Sequence, residues 1–256
     1  NGTSTYPLSL SFASATGSRS MTNCVWDKIL KFNYMYNVNF SNTYFHNGWF
    51  GAHVASPWGS MNGCFIRQTF DNMVACGSIT NSFLYYDNPS GANPHWLASS
   101  SALAAGSTVN WNGNVVYFNG GDNQGNVFLT SGGQTAITVN CKSNLILPNA
   151  GGTNSGVLFT SDGPVTAGVA LNIEHNTVIV TGQWGLEIGH LYTTNETPNR
   201  YASVRSNLFV GGGTGYKACN VDSTTTLDLV PPALTDYNAS YQIKATSGVA
   251  GFNNEG

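Results

Sequence analysis

Glu187, His190 and Lys217 are the residues whose types could do chemistry together. A carboxylate, an imidazole and an amine on one surface can pass a proton to and from a substrate, which is general acid–base catalysis. Glycoside hydrolysis asks for something narrower, two carboxyl groups roughly 5–10 Å apart. The candidates for it are few: Asp122, Asp162, Glu174, Glu187, Asp222 and Asp236. Asp122 and Asp162 stand in Gly-bounded turns, where Asp is an ordinary turn former, so no pair is singled out.

Aromatic side chains form a second group. Trp49, Phe50 and Trp58 fall in one stretch, and Tyr85, Tyr86 and Trp96 in another. Faces of this kind stack on sugar rings and anchor protein interfaces. They can equally plug a long connection onto its own scaffold. His46, His53 and His95 lie near them without the spacing of a metal site, and no residue is assigned to a metal or a cofactor.

The elements that must position these groups are read from a repeat. A short alternating apolar stretch, a small polar corner and a second β-rich run recur along the chain. The corners are Thr43, Ser82, Asn114, Asn144, Asn176, Asn207 and Asn238, separated by 39, 32, 30, 32, 31 and 31 residues. A fixed period of 20 to 50 residues marks a repeat fold. Leu171-Asn172-Ile173-Glu174-His175-Asn176-Thr177-Val178-Ile179-Val180 is the clearest copy. Leu171 and Ile173 alternate with polar partners, which is the period of a half-buried strand. No helical stretch is long enough for a crossover, so the coils are expected to stack in parallel. Asn suits the corner because it tolerates left-handed backbone. Its amide can also bond to the Asn of the adjacent coil, giving a buried ladder through Asn114, Asn144, Asn176, Asn207 and Asn238.

Two residues before the ladder lie Asn112, Lys142, Glu174 and Arg205, expected to form one outward column. Their alternating signs let neighbours pair, so a solvated ion-pair column is the first reading and a strip for a charged sugar the second. On the strand after the corner, Glu187 and Lys217 are expected to align on adjacent coils, with His190 close to Glu187.

Composition narrows the function classes. The chain has 256 residues, 41% of them hydrophobic, enough for a sizeable core. It carries 9 basic and 12 acidic residues, 8% charged in all, far below the roughly 25% of ordinary domains. With a net charge of -3 and no basic cluster, nucleic-acid binding through phosphate neutralisation is not expected. No apolar run approaches 18 residues, so no membrane span is expected. Low charge with abundant aromatics, Thr and Asn suggests an extracellular, cell-surface or virion-surface setting. Of the five cysteines, Cys64 and Cys76 are close enough to bridge, although buried free thiols are the plainer reading. Asn39-Phe40-Ser41, Asn195-Glu196-Thr197 and Asn238-Ala239-Ser240 match glycosylation acceptors, but Asn238 should be buried in the ladder.

The Asn-centred segments, with Leu234-Thr235-Asp236-Tyr237-Asn238-Ala239-Ser240-Tyr241, resemble the coils of right-handed parallel β-helix proteins, the pectate-lyase-like superfamily. The resemblance covers residues 105–241 well and 20–104 loosely. It implies an all-β, single-stranded right-handed parallel β-helix of about eight coils, stacked about 4.8 Å apart into a rod of about 40 Å. One domain, 1–256, is expected, with insertions at about 44–64 and 85–108, as an excerpt of a larger surface or particle protein. The enzymes of that superfamily carry motifs absent from this chain. Missing are the Asn-Thr-Asp, Asp-Asp, Gly-His-Gly and Arg-Ile-Lys of polygalacturonase-like members, and the Arg-x-Pro-x-x-Arg of pectate lyases. Val25-Trp26-Asp27-Lys28 resembles the lyases' Trp-x-Asp-His strand without its His. The expectation is therefore a non-catalytic fibre, spike or stalk module in contact with glycans or neighbouring subunits. The alternative is a polysaccharide lyase or glycoside hydrolase with a divergent site.

Overall fold

The computed structural model describes residues 8–12, 17–27, 30–35, 37–50, 58–68, 73–86, 95–99, 106–118, 126–131, 137–148, 157–162, 170–180, 184–188, 201–211, 217–221, 235–241 and 252–254. They form only strands and turns. In chain order come β1 (Leu8–Phe12), β2 (Arg19–Thr22), β3 (Val25–Asp27), β4 (Leu30–Met35), β5 (Val38–Ser41), β6 (Tyr44–Phe50), β7 (Trp58–Asn62) and β8 (Phe65–Gln68). There follow β9 (Met73–Thr80), β10 (Phe83–Tyr86), β11 (His95–Ser99), β12 (Thr108–Asn112), β13 (Val115–Phe118), β14 (Asn126–Ser131), β15 (Thr138–Lys142), β16 (Leu145–Pro148) and β17 (Val157–Asp162). The rest are β18 (Ala170–Glu174), β19 (Thr177–Val180), β20 (Trp184–Ile188), β21 (Tyr201–Arg205), β22 (Leu208–Gly211), β23 (Lys217–Val221), β24 (Thr235–Asp236), β25 (Asn238–Tyr241) and β26 (Phe252–Asn254).

The strands before the corners stack as β2-β5-β7-β9-β12-β15-β18-β21-β24. Those after the corners stack as β3-β6-β8-β10-β13-β16-β19-β22-β25-β26. Among the described residues the pairing in both is parallel, as in Thr138↔Ala170 and Ala170↔Tyr201. This is a parallel β-solenoid. A third run, β11-β14-β17-β20-β23, starts from β9, whose first residues Met73–Ala75 pair with β11 while Ile79 and Thr80 pair with β12.

The 39-residue step between Thr43 and Ser82, read as an insertion, is spanned by two short coils. Cys64 occupies a corner of its own, with its amide 3.0 Å from the hydroxyl of Ser82, 18 residues on. Cys24 holds the corner before Thr43, since Val25 pairs with Tyr44. The repeat was hidden there because the corner residue is a thiol or hydroxyl. Cys64 is a free thiol, so no Cys64–Cys76 bridge exists. Burial pushes its pKa up, against backbone hydrogen bonds from Thr43 and Asn62.

Alternation fills the interior. The first sheet sends in Phe40, Met61, Ile79, Trp111, Cys141, Ile173 and Val204, and the second sends in Phe45, Ile66, Leu84, Val116, Ile146, Val178 and Phe209. All fourteen are buried, so each coil contributes apolar side chains from two directions to one continuous core.

The corners explain how the chain turns between the sheets. The sequence alone suggests that the ladder Asn is also the left-handed residue. The structure separates the two jobs. Positive φ belongs to the residue before: Asn23, Asn42, Gly63, Asn81, Gly113, Ser143, His175, Ser206 and Tyr237. The next residue does the bonding, and from Thr43 to Asn238 it is buried. Asn176 Oδ1 accepts the backbone N–H of Asn144 at 2.9 Å and its side-chain Nδ2–H at 2.9 Å. Asn176 Nδ2 donates to Cys141 O and to Asn207 Oδ1, each at 2.9 Å. The same bonds recur from Asn114 to Asn238. Asn238 is 1% exposed, which leaves its sequon no accessible amide.

Two outcomes follow. Asn176→Ala takes the side-chain partner from the buried amide of Asn144 and the carbonyl of Cys141, and one bond each from Asn144 Nδ2 and Asn207 Oδ1, at about 1–3 kcal/mol for each group that stays unsatisfied. Its urea midpoint should therefore fall further than that of Ser82→Ala, which strands the amide of Cys64 but leaves the carbonyl of Thr80 bonded to the Gly63 amide. Ser143→Gly should stabilise by roughly 0.5–1 kcal/mol by relieving left-handed strain at φ 56. Gly113→Ala should destabilise, because its new Cβ would lie 2.8 Å from Asn81 Oδ1 at φ +67.

Candidate functional site

The outward faces of the two sheets carry different chemistry. On the first sheet, positions four before the corner are occupied by Ser20, Asn39, Ser60, Ser78, Asn110, Asn140, Asn172 and Ser203. They bond along the rod: Asn172 Nδ2 to Asn140 Oδ1 and Asn140 Nδ2 to Asn110 Oδ1, both at 2.8 Å. The Nδ2 of Asn39, another sequon residue, is likewise engaged with Ser18 Oγ at 2.8 Å.

Two positions before the corner, Asn112, Lys142, Glu174 and Arg205 are register partners on successive coils, the column expected from sequence. Lys142 Nζ sits 2.8 Å from Glu174 Oε2, and Ser203 Oγ donates to Glu174 Oε1 at 3.2 Å. Burial alone would raise the Glu174 carboxyl. The hydrogen bond and charge of Lys142, the Ser203 bond and the charge of His175 outweigh it, so the carboxyl ends below its usual range. Strand register thus brings Lys142 and Glu174 of this column into an ion pair.

The second sheet carries a chain of polar and aromatic groups that the sequence did not point out. Three residues after the corners, Asp27, His46, Arg67, Tyr85 and Tyr117 are stacked by register. Asp27 Oδ1 lies 2.5 Å from His46 Nδ1, and Arg67 Nη1 lies 3.2 Å from His46 Nε2. Arginine can only donate. His46 Nε2 is therefore the acceptor, and the ring proton sits on Nδ1 facing Asp27. The Arg67 guanidinium lies over Tyr85, 5.6 Å from its centroid, and Tyr117 stacks on Tyr85 from the next coil at 5.5 Å. This is an oriented imidazole beside a carboxylate, but Nε2 can act as a base only after Arg67 lets go. The signal was present in Val25-Trp26-Asp27, Tyr44-Phe45-His46, Phe65-Ile66-Arg67 and Phe83-Leu84-Tyr85, which share one frame. Cys24 and Cys64 hide it, because a thiol at the corner does not match the Asn-centred repeat.

One residue after the corner runs a nearly unbroken apolar column: Val25, Tyr44, Phe65, Phe83, Val115, Leu145, Thr177, Leu208 and Ala239. Phe65 stacks on Phe83 at 5.1 Å and meets Tyr44 edge-on at 4.9 Å. Three of these side chains are exposed, Val25 at 70% and Phe65 and Leu208 at 39%, and the other six are half-buried.

The other residues expected at a site fare differently. Glu187 pairs with Asn220, and Lys217 with Trp184, so Glu187 and Lys217 are not the register partners expected. His190 lies outside the described residues. Trp49, Phe50, Trp58, Tyr86 and Trp96 are placed on β6, β7, β10 and β11 by backbone alone. Tyr85 is placed in full: with Arg67 on one face and Tyr117 on the other, its ring is no open platform for a sugar. Among the described residues, no group of three or more His, Cys, Asp or Glu could hold a metal ion, and no helix is long and apolar enough to cross a membrane. No protein-family profile matches the chain, and no curated protein or solved structure shows significant similarity to it.

Because the Glu174 carboxyl is held low, its contribution is complete above the carboxylate's unfolded value and is lost as pH falls through the folded one. Acid titration of stability by urea unfolding should be shallower in Glu174→Gln and in Lys142→Met than in the native chain. Equal slopes in all three would show that the pair contributes nothing measurable.

Proposed function

We propose that the chain is a non-catalytic β-solenoid module of an extracellular or particle-surface fibre, spike or stalk, of the right-handed, pectate-lyase-like kind. It works by presenting a long, regular face to glycans or neighbouring subunits. The observation that carries this reading is the apolar column from Val25 to Ala239 on the outside of the second sheet. A soluble rod has no folding need for Val25, Phe65 and Leu208 to point outward, and extended exposed apolar surface marks contact. Glycan contact would use ring edges and polar groups, since stacked neighbours occupy the faces of Tyr85.

A second reading, a polysaccharide lyase or hydrolase, is favoured by one arrangement. Asp27 and His46 make an oriented pair next to Arg67, a cation able to hold an acidic sugar. Incubation with acidic and neutral polysaccharides separates the two. The module reading expects no reducing ends and no unsaturated uronates. Product that disappears in His46→Gln or in Glu187→Gln would replace it with the enzyme reading.

A further inference from the structure

We propose that the apolar column on the outside of the second sheet is a self-association surface, on which a second copy of this chain packs sheet against sheet. The proposal rests on the module reading above and names its partner. Three properties select a copy over other occupants. The first is area. Nine residues separated by steps of about 4.8 Å make a stripe about 38 Å long. With the adjacent column it is about 12 Å wide, roughly 460 Å² per copy and about 900 Å² between two, just under the roughly 1,000 Å² of a stable specific interface and in the range of a transient one.

The second is periodicity. Val25, Phe65, Val115, Leu145 and Leu208 lie in one register column, one residue to a coil. A globular partner matches such ridges over a few coils. A second identical rod matches them along the whole stripe. The third is charge. The apolar column has no charged member, and in the column beside it Asp27, His46 and Arg67 are already joined within one chain. Two copies therefore meet without facing uncompensated like charges. An area near the threshold implies a reversible, concentration-dependent dimer.

Sedimentation velocity over a roughly hundredfold concentration range tests this, with circular dichroism as the control for folding. The native chain is expected to shift from monomer to dimer. Val25→Lys/Leu208→Lys changes two exposed residues of the column and leaves the buried core untouched. It should weaken the dimer by about tenfold or more, equivalent to ~1.4 kcal/mol. Val25→Glu/Leu208→Glu should do the same, and mixing the two variants should restore association. A native chain that stays monomeric throughout, or variants that dimerise as before, would overturn the self-association surface. Such a monomer that still binds a glycan panel without releasing product would leave the module reading intact, with the sugar as the occupant of this face. If the lysine pair fails to fold, Val25→Thr/Leu208→Thr keeps the test, with a weaker dimer expected and an unchanged one overturning the proposal.

Discussion

The bonding of one carboxamide to the next at the corners is the constraint on which this fold depends. Each coil must turn sharply between its two sheets, and a sharp turn buries backbone groups that no strand can pair. From Ser82 to Asn238 the amide of one corner residue finds its acceptor in the side chain of the next. The side-chain Nδ2 returns to a backbone carbonyl of the preceding coil, as from Asn144 to Trp111 at 2.7 Å. The turn is thereby satisfied only when the neighbouring coil is present in correct register. Register in turn decides which side chains share a column, and so decides the ion pair on one face and the stacked rings on the other.

The residue before each ladder position shows what the network supports. Where the corner residue is Cys24, Thr43, Cys64 or Ser82, the left-handed place is held by Asn or Gly, which suit it intrinsically. Where the corner residue is Asn144, Asn176, Asn207 or Asn238, it is held by Ser143, His175, Ser206 and Tyr237. The inter-coil carboxamide bonds hold the backbone firmly enough to accept poorer residues beside them. Asn114 keeps Gly113, which has its own reason: the side chain of Asn81 fills the space a Cβ would need.

Much of this was readable from the residues. The spacing from Asn114 to Asn238 gave the coil length, the ladder and the Lys142–Glu174 column, because every corner there is the same residue in the same frame. Legibility failed where chemistry was substituted. Cys24 and Cys64 turn the chain with a thiol bonded to backbone carbonyls, as Cys64 Sγ is to Phe40 O and Asn62 O, so an Asn-based pattern passes over them. The Asp27–His46–Arg67 line was lost with them, since its members are neighbours only if those two corners exist. The expected alignment of Glu187 with Lys217 failed for a different reason: Gly-rich connections between corner and third strand vary, so counting from the corner does not carry register that far.

Coil circumference changes at β9. Corners before it are 18 to 21 residues apart, and corners after it 30 to 32. The third run of strands begins there. Flexural rigidity rises steeply with the breadth of a cross-section, so a sideways load on such a rod concentrates its curvature in the small coils. The segment from Asn23 to Ser82 is then the compliant part and the segment beyond Asn114 the stiff one, a division of mechanical labour written into coil length.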